Sequence, residues 1–338
     1  MGHKRLLLEF GEHPLKNPID YAVKVIKTIY ATKNKWGEIR RVNVNLAATT
    51  VENYRRLKEA GIGTYQLFQE TYHRPTYKKM HQGPKADYER QLMAIPKAFE
   101  AGIDDLGIGV LFGLYDYRFE VLALVQYAKF MEKTLGVGPH TISVPRFQSA
   151  HTVDVKLKYK VSDQDFLKLI AVLRLAMPYT GMIISTRETP EMRRKAFAVG
   201  ISQTSAASRT EPGGYIKDGK PTTEAQFNLN DHRSLDEVAQ DICSLGYLPS
   251  FCTGCYRTGR TGDYFMRLAK SGKIHELCQP NALLTFKEYL LDYASAKTKK
   301  SGDLAIIKQL SLIKGEPLKK KLKQYLKRIE AGERDLFV

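Results

Sequence analysis

Through the first 240 residues of this 338-residue chain, short apolar runs alternate with stretches whose apolar positions recur every three to four residues. The short runs predict strands at residues 5–9, 40–46, 64–69, 106–111, 141–146, 182–185 and 200–203. The periodic stretches predict helices at 19–32, 51–60, 87–101, 118–135, 163–177 and 190–199. Runs such as Leu106-Gly-Ile-Gly-Val-Leu111 are apolar throughout, as strands covered on both faces should be. Several helix ends are marked. Thr50 precedes Val51 as an N-cap, Gly61 closes the same helix, and Asn17-Pro18 opens the first one.

Alternation of this kind predicts a parallel sheet with crossover helices. A (β/α)8 TIM barrel closes with eight strands, and seven are counted. The chain opens almost directly in a strand. The expected fold is therefore α/β, a partial (β/α)8 barrel holding strands 2–8, with the first βα unit missing. A complete doubly wound open sheet is the rival. Residues 204–233 break the pattern as a long loop, with turn chemistry at 212–214 and 218–221. A capping box at Ser234 and Glu237 then opens a helix at 234–245. Further helices are expected at 283–294, 304–313 and 318–329, the last with Leu318, Leu322, Leu326 and Ile329 on one stripe. The expected divisions are 1–240 for the barrel, 241–295 for a cysteine-bearing module and 296–338 for a basic helical tail.

Composition changes this picture little. Hydrophobic and charged contents of 43% and 26% are ordinary for a globular chain. No run of eighteen apolar residues is present, so no membrane span is expected. The start lacks a secretory apolar core. Four cysteines do not make a disulfide framework, and three of them cluster. That points to metal binding in a reducing, cytoplasmic setting. The net charge is +17, with twelve Lys/Arg against five Asp/Glu in residues 296–338. Such charge permits an anionic partner. No nucleic-acid-binding signature accompanies it, and a solvated basic surface is the plainer reading.

In a βα barrel the chemistry sits where strands end. Those positions carry Glu9 and Glu12, Asn43 and Asn45, Glu70, Tyr115 and Asp116, Arg146, Ser185 with Arg187, and Ser205 with Arg209. Arginines at three successive strand ends suit a carboxylate-bearing ligand, which the guanidinium fork grips with two hydrogen bonds. Glu12 and Glu70 suit an amino or ribose hydroxyl group. The plainer alternative is that the arginines pair with these glutamates and close the barrel end. The sharpest motif is Cys252-Thr-Gly-Cys255 followed, after 22 residues, by Cys278. Three thiolates at this spacing suit three irons of a 4Fe–4S cluster. With His275 they equally suit a structural zinc site. A third reading is a set of unligated core thiols. The glycines and arginines of Tyr256–Asp263 suit a loop folded around an anionic cluster. Cys243, inside a predicted helix, reads as a packed core thiol. His140 precedes a strand and so belongs at the opposite, N-terminal rim.

The segment Cys252-Thr-Gly-Cys-Tyr-Arg-Thr-Gly-Arg-Thr-Gly-Asp263, with Cys278-Gln-Pro-Asn-Ala282, closely resembles the C-terminal module of the HydG maturases of FeFe-hydrogenase. Arg41-Val-Asn-Val-Asn-Leu46, Phe68-Gln-Glu-Thr-Tyr-His73, Gly136-Val-Gly-Pro-His140 and Pro178-Tyr-Thr-Gly181 resemble their barrel. The resemblance covers nearly all of residues 2–295. It implies a radical S-adenosylmethionine (SAM) enzyme that splits L-tyrosine into p-cresol and a dehydroglycine fragment. That fragment becomes the CO and cyanide used in hydrogenase cluster assembly alongside other maturation proteins. It implies an auxiliary 4Fe–4S cluster with a labile extra iron, on Cys252, Cys255 and Cys278, with His140 similar in context to a ligand of the extra iron. It implies SAM contacts at Gly11, Glu12, Glu70 and Arg146, and substrate contacts at Ser185, Arg187 and Arg209. The family's Cys-x3-Cys-x2-Cys motif for the SAM cluster is absent, so these residues alone are not expected to cleave SAM. Ser205-Ala-Ala-Ser208 also departs from the glycines of the family pattern. A non-catalytic cluster scaffold and a basic zinc-containing nucleic-acid-binding protein are the alternatives.

Overall fold

The computed structural model describes residues 2–35, 37–148, 158–210 and 228–338. The strands are β1 (Arg5–Glu9), β2 (Lys33–Asn34), β3 (Gly37–Glu38), β4 (Arg41–Asn45), β5 (Tyr65–Gln66), β6 (Leu106–Gly109), β7 (Thr141–Ser143), β8 (Gly181–Ile184) and β9 (Gln203–Thr204). Seven of them form one sheet in the order β1-β4-β5-β6-β7-β8-β9. From β4 to β9 each strand pairs parallel with the next, in registers such as Val44 with Tyr65, Ile108 with Ile142 and Ile183 with Gln203. This is the seven-stranded partial barrel that the alternation predicts. The sequence reading missed β2 and β3, which form a two-residue-per-arm antiparallel hairpin of their own.

The crossovers are α1 (Ile19–Ala31), α2 (Val51–Glu59), α3 (Arg74–Met80), α4 (Tyr88–Leu92), α5 (Ala94–Glu100), α6 (Tyr117–Leu135), α7 (Asp163–Ala176) and α8 (Pro190–Val199). Their caps follow the sequence. Thr50, Ser162 and Thr189 each accept a backbone N–H of the first turn through the side-chain oxygen. One expected helix, 87–101, is two. Pro96 has no N–H for the Leu92 carbonyl four residues back, so the ladder breaks at Met93. The Tyr127 hydroxyl donates to that Leu92 carbonyl at 2.6 Å instead. α3 was missed because His73, an unusual cap, opens it.

The last helices are α9 (Leu235–Ser244), α10 (Gly254–Arg257), α11 (Gly262–Lys270), α12 (His275–Asp292), α13 (Ala296–Ser311) and α14 (Glu316–Glu330). α9 carries the full capping box at Ser234 and Glu237. α12 begins eight residues before the expected 283, and Pro280 lies inside it. α13 begins at a cap on Ser295, whose oxygen accepts the Thr298 N–H at 3.3 Å. No helix among the described residues is long and apolar enough to cross a membrane. The turn chemistry expected at 212–214 and 218–221 lies outside the described residues.

The chain divides into two compact units. One is Met1–Leu7, Val25–Val42 and Arg233–Val338; the other is Leu8–Lys24 and Asn43–His232. The first gathers the cysteine segment and the basic tail, which the sequence separates at 295, around one core. Leu283, Leu284, Phe286 and Leu290 of α12 meet Ala305 and Ile306 of α13 and Leu322 and Ile329 of α14 there. The stripe on α14 thus has its partner. In the second unit, Val44, Leu106, Ile108, Ile142 and Met182 of the sheet are buried, as are Leu57, Ala98, Leu124, Leu169 and Ile170 of the helices. Each such Val, Leu, Ile or Met side chain contributes about 1.5–3 kcal/mol by leaving water.

Candidate functional site

The strand-end residues of the second unit are held in ion pairs. Asn17 Nδ2 donates to the Gly11 carbonyl at 2.8 Å, fixing the turn after β1. Beside it, Glu12 accepts from Arg90 at 2.7 Å. Glu70 pairs with Lys85 at 2.7 Å. Its backbone has φ of 67°, a left-handed conformation uncommon for a glutamate. A parallel bridge to Val110 and the Leu111 N–H at 2.9 Å hold it there. Arg146 donates through Nε to Glu188 at 2.8 Å and through a second nitrogen to the same carboxylate, and it reaches Asp163 at 2.7 Å. Those carboxylates raise the Arg146 pKa against the opposing effect of burial.

Arg187 stands differently. Burial lowers its pKa, while Glu70, Glu9 and Glu188 pull the other way. Burial likewise raises the Glu9 pKa against the pull of Arg187. The structure therefore brings Glu9, Glu70, Arg187 and Glu188 into one electrostatic neighbourhood. Ser185 Oγ accepts the Arg187 N–H at 3.3 Å, and the Arg187 carbonyl accepts from Asn230 at 2.7 Å. Arg209 donates to the Ser208 carbonyl at 3.0 Å. Sequence reasoning foresaw pairing of arginines with Glu12 or Glu70 but missed the actual partners, Arg90, Lys85 and Glu188. It also missed Glu120, a buried carboxylate that accepts the Tyr72 N–H at 2.9 Å and shapes the 71–73 turn. Burial raises the Glu120 pKa. Glu120 sits inside a helical run, where nothing in the spacing distinguishes it.

His140 lies at the N-terminal rim, as read. Its N–H donates to the Leu106 carbonyl at 2.8 Å and its Nδ1 is 3.2 Å from Asp105 Oδ1.

In the first unit, Cys252 and Cys255 are half-buried free thiols and Cys278 an exposed one, and the charges of Cys255 and Cys252 bear on Cys278. The Cys278 thiol is pushed up to about 12, first by the protein packed around it and then by Cys255 and Cys252, with Arg260 and Arg5 pulling the other way. The Gly254 N–H points at Cys252 Sγ, 3.3 Å away. A Cβ on Gly254 would press on the Phe337 ring at 3.3 Å and touch Arg260 and Cys252 Sγ at 3.5 Å, so the ring packs closely over this turn. Arg260 Nε is buried with no hydrogen-bond partner. The Arg41 guanidinium lies 3.1 Å from the Tyr256 ring centroid. Among the described residues, no three His, Cys, Asp or Glu side chains gather tightly enough to hold one metal ion. Cys243 is a buried thiol of the α9 face, pushed up to about 12 by burial.

The family model of the Biotin and Thiamin Synthesis associated domain matches residues 143–248. The 2-iminoacetate synthases of Salmonella typhimurium and Escherichia coli are 31% and 30% identical over 251 residues, 74% of this chain. The chain spans 64% of the length of these curated relatives. The crystal structure of HydG, a maturase of the [FeFe]-hydrogenase, superposes with a TM-score of 0.96 at 58% identity, over 100% of this chain and 74% of that one. HydG from Carboxydothermus hydrogenoformans matches at 40% identity and a TM-score of 0.82, over 96% of this chain and 70% of that one. The first alignment takes in the whole tail beyond residue 296, and the second most of it. The chain belongs to the HydG family of [FeFe]-hydrogenase maturases.

Proposed function

We propose that Cys252, Cys255 and Cys278 hold the auxiliary 4Fe–4S cluster of a radical SAM tyrosine lyase, and that the barrel ends of this chain grip SAM and L-tyrosine. The observation that carries the cluster reading is the buried Arg260 Nε without an acceptor, on an arginine whose charge, like those of Cys252 and Cys255, bears on the Cys278 thiol. An unpartnered buried donor calls for an acceptor. An anionic cluster with sulfide corners supplies one. A zinc ion would need all its ligands at one point, about 2.3 Å from the metal for each sulfur. A cluster takes one iron per thiolate, so three cysteines suffice to hold it without a fourth protein ligand. When bound, such a cluster offers an iron without a protein thiolate, open to small ligands such as CO and cyanide.

At the barrel end, Glu12, Glu70 and Arg146 already have partners. Binding of SAM would exchange Arg90, Lys85 and Glu188 for the amino acid and ribose groups of the ligand. The strained Glu70 backbone supports a binding role, because such strain is retained where the surrounding structure aims a side chain. Half-buried Arg187 would take the tyrosine carboxylate, with Ser185 and Arg209 contributing to the same site. The relatives named for making 2-iminoacetate support a two-carbon imine fragment as the first product. The 338 residues contain no Cys-x3-Cys-x2-Cys motif, so p-cresol is not expected from them without a source of the SAM cluster.

The test is anaerobic reconstitution with iron and sulfide. Near four irons per chain, a broad visible absorption, and loss of both in Cys252→Ser are expected. Stoichiometric zinc with no iron would reject the cluster reading.

A further inference from the structure

We infer that the last six residues, 333–338, form a strap that fixes the cysteine loop, with Asn281, Arg257 and Arg260 as its positioning residues. The inference rests on the cluster reading for its purpose but on independent contacts for its existence. The Val338 N–H donates to Asn281 Oδ1 at 2.7 Å, and Asn281 Nδ2 donates back to the Val338 carbonyl at 3.2 Å. Arg260 donates to the same carbonyl at 3.1 Å. Asn281 is 1% exposed and stands three residues beyond Cys278, on the same face of α12. The clamp and the third thiol therefore share one rigid helix.

Upstream in the strap, Asp335 is held from three directions. Its carboxylate pairs with Arg257 and with Arg40, the latter at 3.2 Å, and its N–H donates to Glu288 at 2.8 Å. Its backbone has φ of 66°, a conformation a non-glycine residue keeps only when its surroundings impose it. Arg257, two residues after Cys255, also lies over the Phe337 ring at 4.8 Å. That ring faces Gly254, between Cys252 and Cys255. Leu336 and Val338 pack on the core of the unit. The strap thus grips the loop at Gly254 inside the Cys252–Cys255 turn, at Arg257 and Arg260 just after it, and at the helix bearing Cys278. Its function is to hold three thiols at a fixed spacing before any metal arrives.

The experiment uses the whole chain and the variants Phe337→Ala, Asn281→Ala, Arg257→Gln and Arg257→Lys. In the metal-free protein, maleimide labelling of each cysteine is followed by peptide mass spectrometry. Cys243, buried away from the loop in α9, reports global opening. The strap predicts that Phe337→Ala and Asn281→Ala label the half-buried Cys252 and Cys255 about tenfold faster with Cys243 unchanged, because only local opening is eased. Arg257→Gln should follow them and Arg257→Lys should stay near wild type. After reconstitution, the same variants should lose iron to a chelator about tenfold faster. Unchanged labelling of Cys252 and Cys255, or acceleration of Cys243 in parallel with them, would overturn the strap. Should the wild type take up no iron, the cluster reading fails, and the labelling rates still decide the strap by themselves.

Discussion

Glu288→Gln should lower the unfolding free energy of the first unit by about 3 kcal/mol at pH 7, toward the lower end of the range for breaking a buried ion pair. The carboxylate is 3% exposed and receives both terminal nitrogens of Arg40, at 2.8 and 3.2 Å, Lys4 at 3.3 Å and the Asp335 N–H at 2.8 Å. Arg40 and Lys4 are themselves 8% and 7% exposed. Glutamine preserves the shape and one acceptor but leaves two buried cations facing a neutral amide. The loss is limited because Arg40 keeps Asp335 at 3.2 Å and Lys4 keeps the Tyr293 hydroxyl at 3.3 Å. A cost of about 3 kcal/mol is a factor of roughly 150 in the folding equilibrium. Urea unfolding of wild type and variant, followed by circular dichroism, measures it. The pH profile gives an independent reading. Burial raises the Glu288 pKa, but the hydrogen bonds from Arg40 and Asp335 and the charges of Arg40 and Lys4 outweigh it, leaving the folded value below the ordinary 4.5. A depressed carboxylate stabilises the fold above the unfolded pKa, and that contribution is lost as pH falls through the folded value. The gap between wild type and variant should therefore close below about pH 4.5. A penalty under about 1 kcal/mol at pH 7, or a gap that stays constant down to pH 3, would refute the reasoning.

Other outcomes follow from single contacts. Arg193→Met should cost about 3–5 kcal/mol, because Asp231, buried with it, would lose its guanidinium; adding Asp231→Leu should recover most of that, and a double variant as unstable as the sum of the singles would contradict it. Gly302→Ala would place a Cβ 2.6 Å from the Leu290 side chain in a packed core, and a loss of about 1–3 kcal/mol is expected, so a neutral midpoint in urea would count against the packing described. The Cys243 thiol, pushed up to about 12 by burial, should resist iodoacetamide at pH 8 in the folded chain. Modification there at the rate of a small-molecule thiol would show that α9 does not bury it.

The partial barrel was legible because its signal is periodic. Seven short apolar runs separated by amphipathic ones leave few topologies, and Leu106 to Gly109 could hardly be anything but a covered strand. The three thiols were legible because cysteine spacing survives any uncertainty about the backbone. What stayed hidden depends on contacts without composition. The split of 87–101 required knowing that Pro96 leaves the Leu92 carbonyl for Tyr127, a partner 35 residues away. The extension of α12 back to His275 runs through Pro280, the residue that most strongly signals a boundary. Arg146 was read for a ligand, yet Glu188, the carboxylate that holds it, lies one residue after another arginine of the same set and carried no separate signal.

The strap shows the same limit most sharply. Residues 296–338 carry a strong charge signal, and that signal describes only their solvated face. What ties them to the cysteine loop is the main chain of Val338, the side-chain amide of Asn281 and one aromatic ring over a glycine. Main-chain donors and acceptors are the same at every residue, so no pattern of side chains announces where they will be used. A tail that looks detachable by charge is thus, by its hydrogen bonds, part of the wall around the thiols. The physical reason is that positioning three sulfurs needs fixed geometry rather than affinity, and buried polar contacts with few alternatives supply it at the cost of being unreadable in advance.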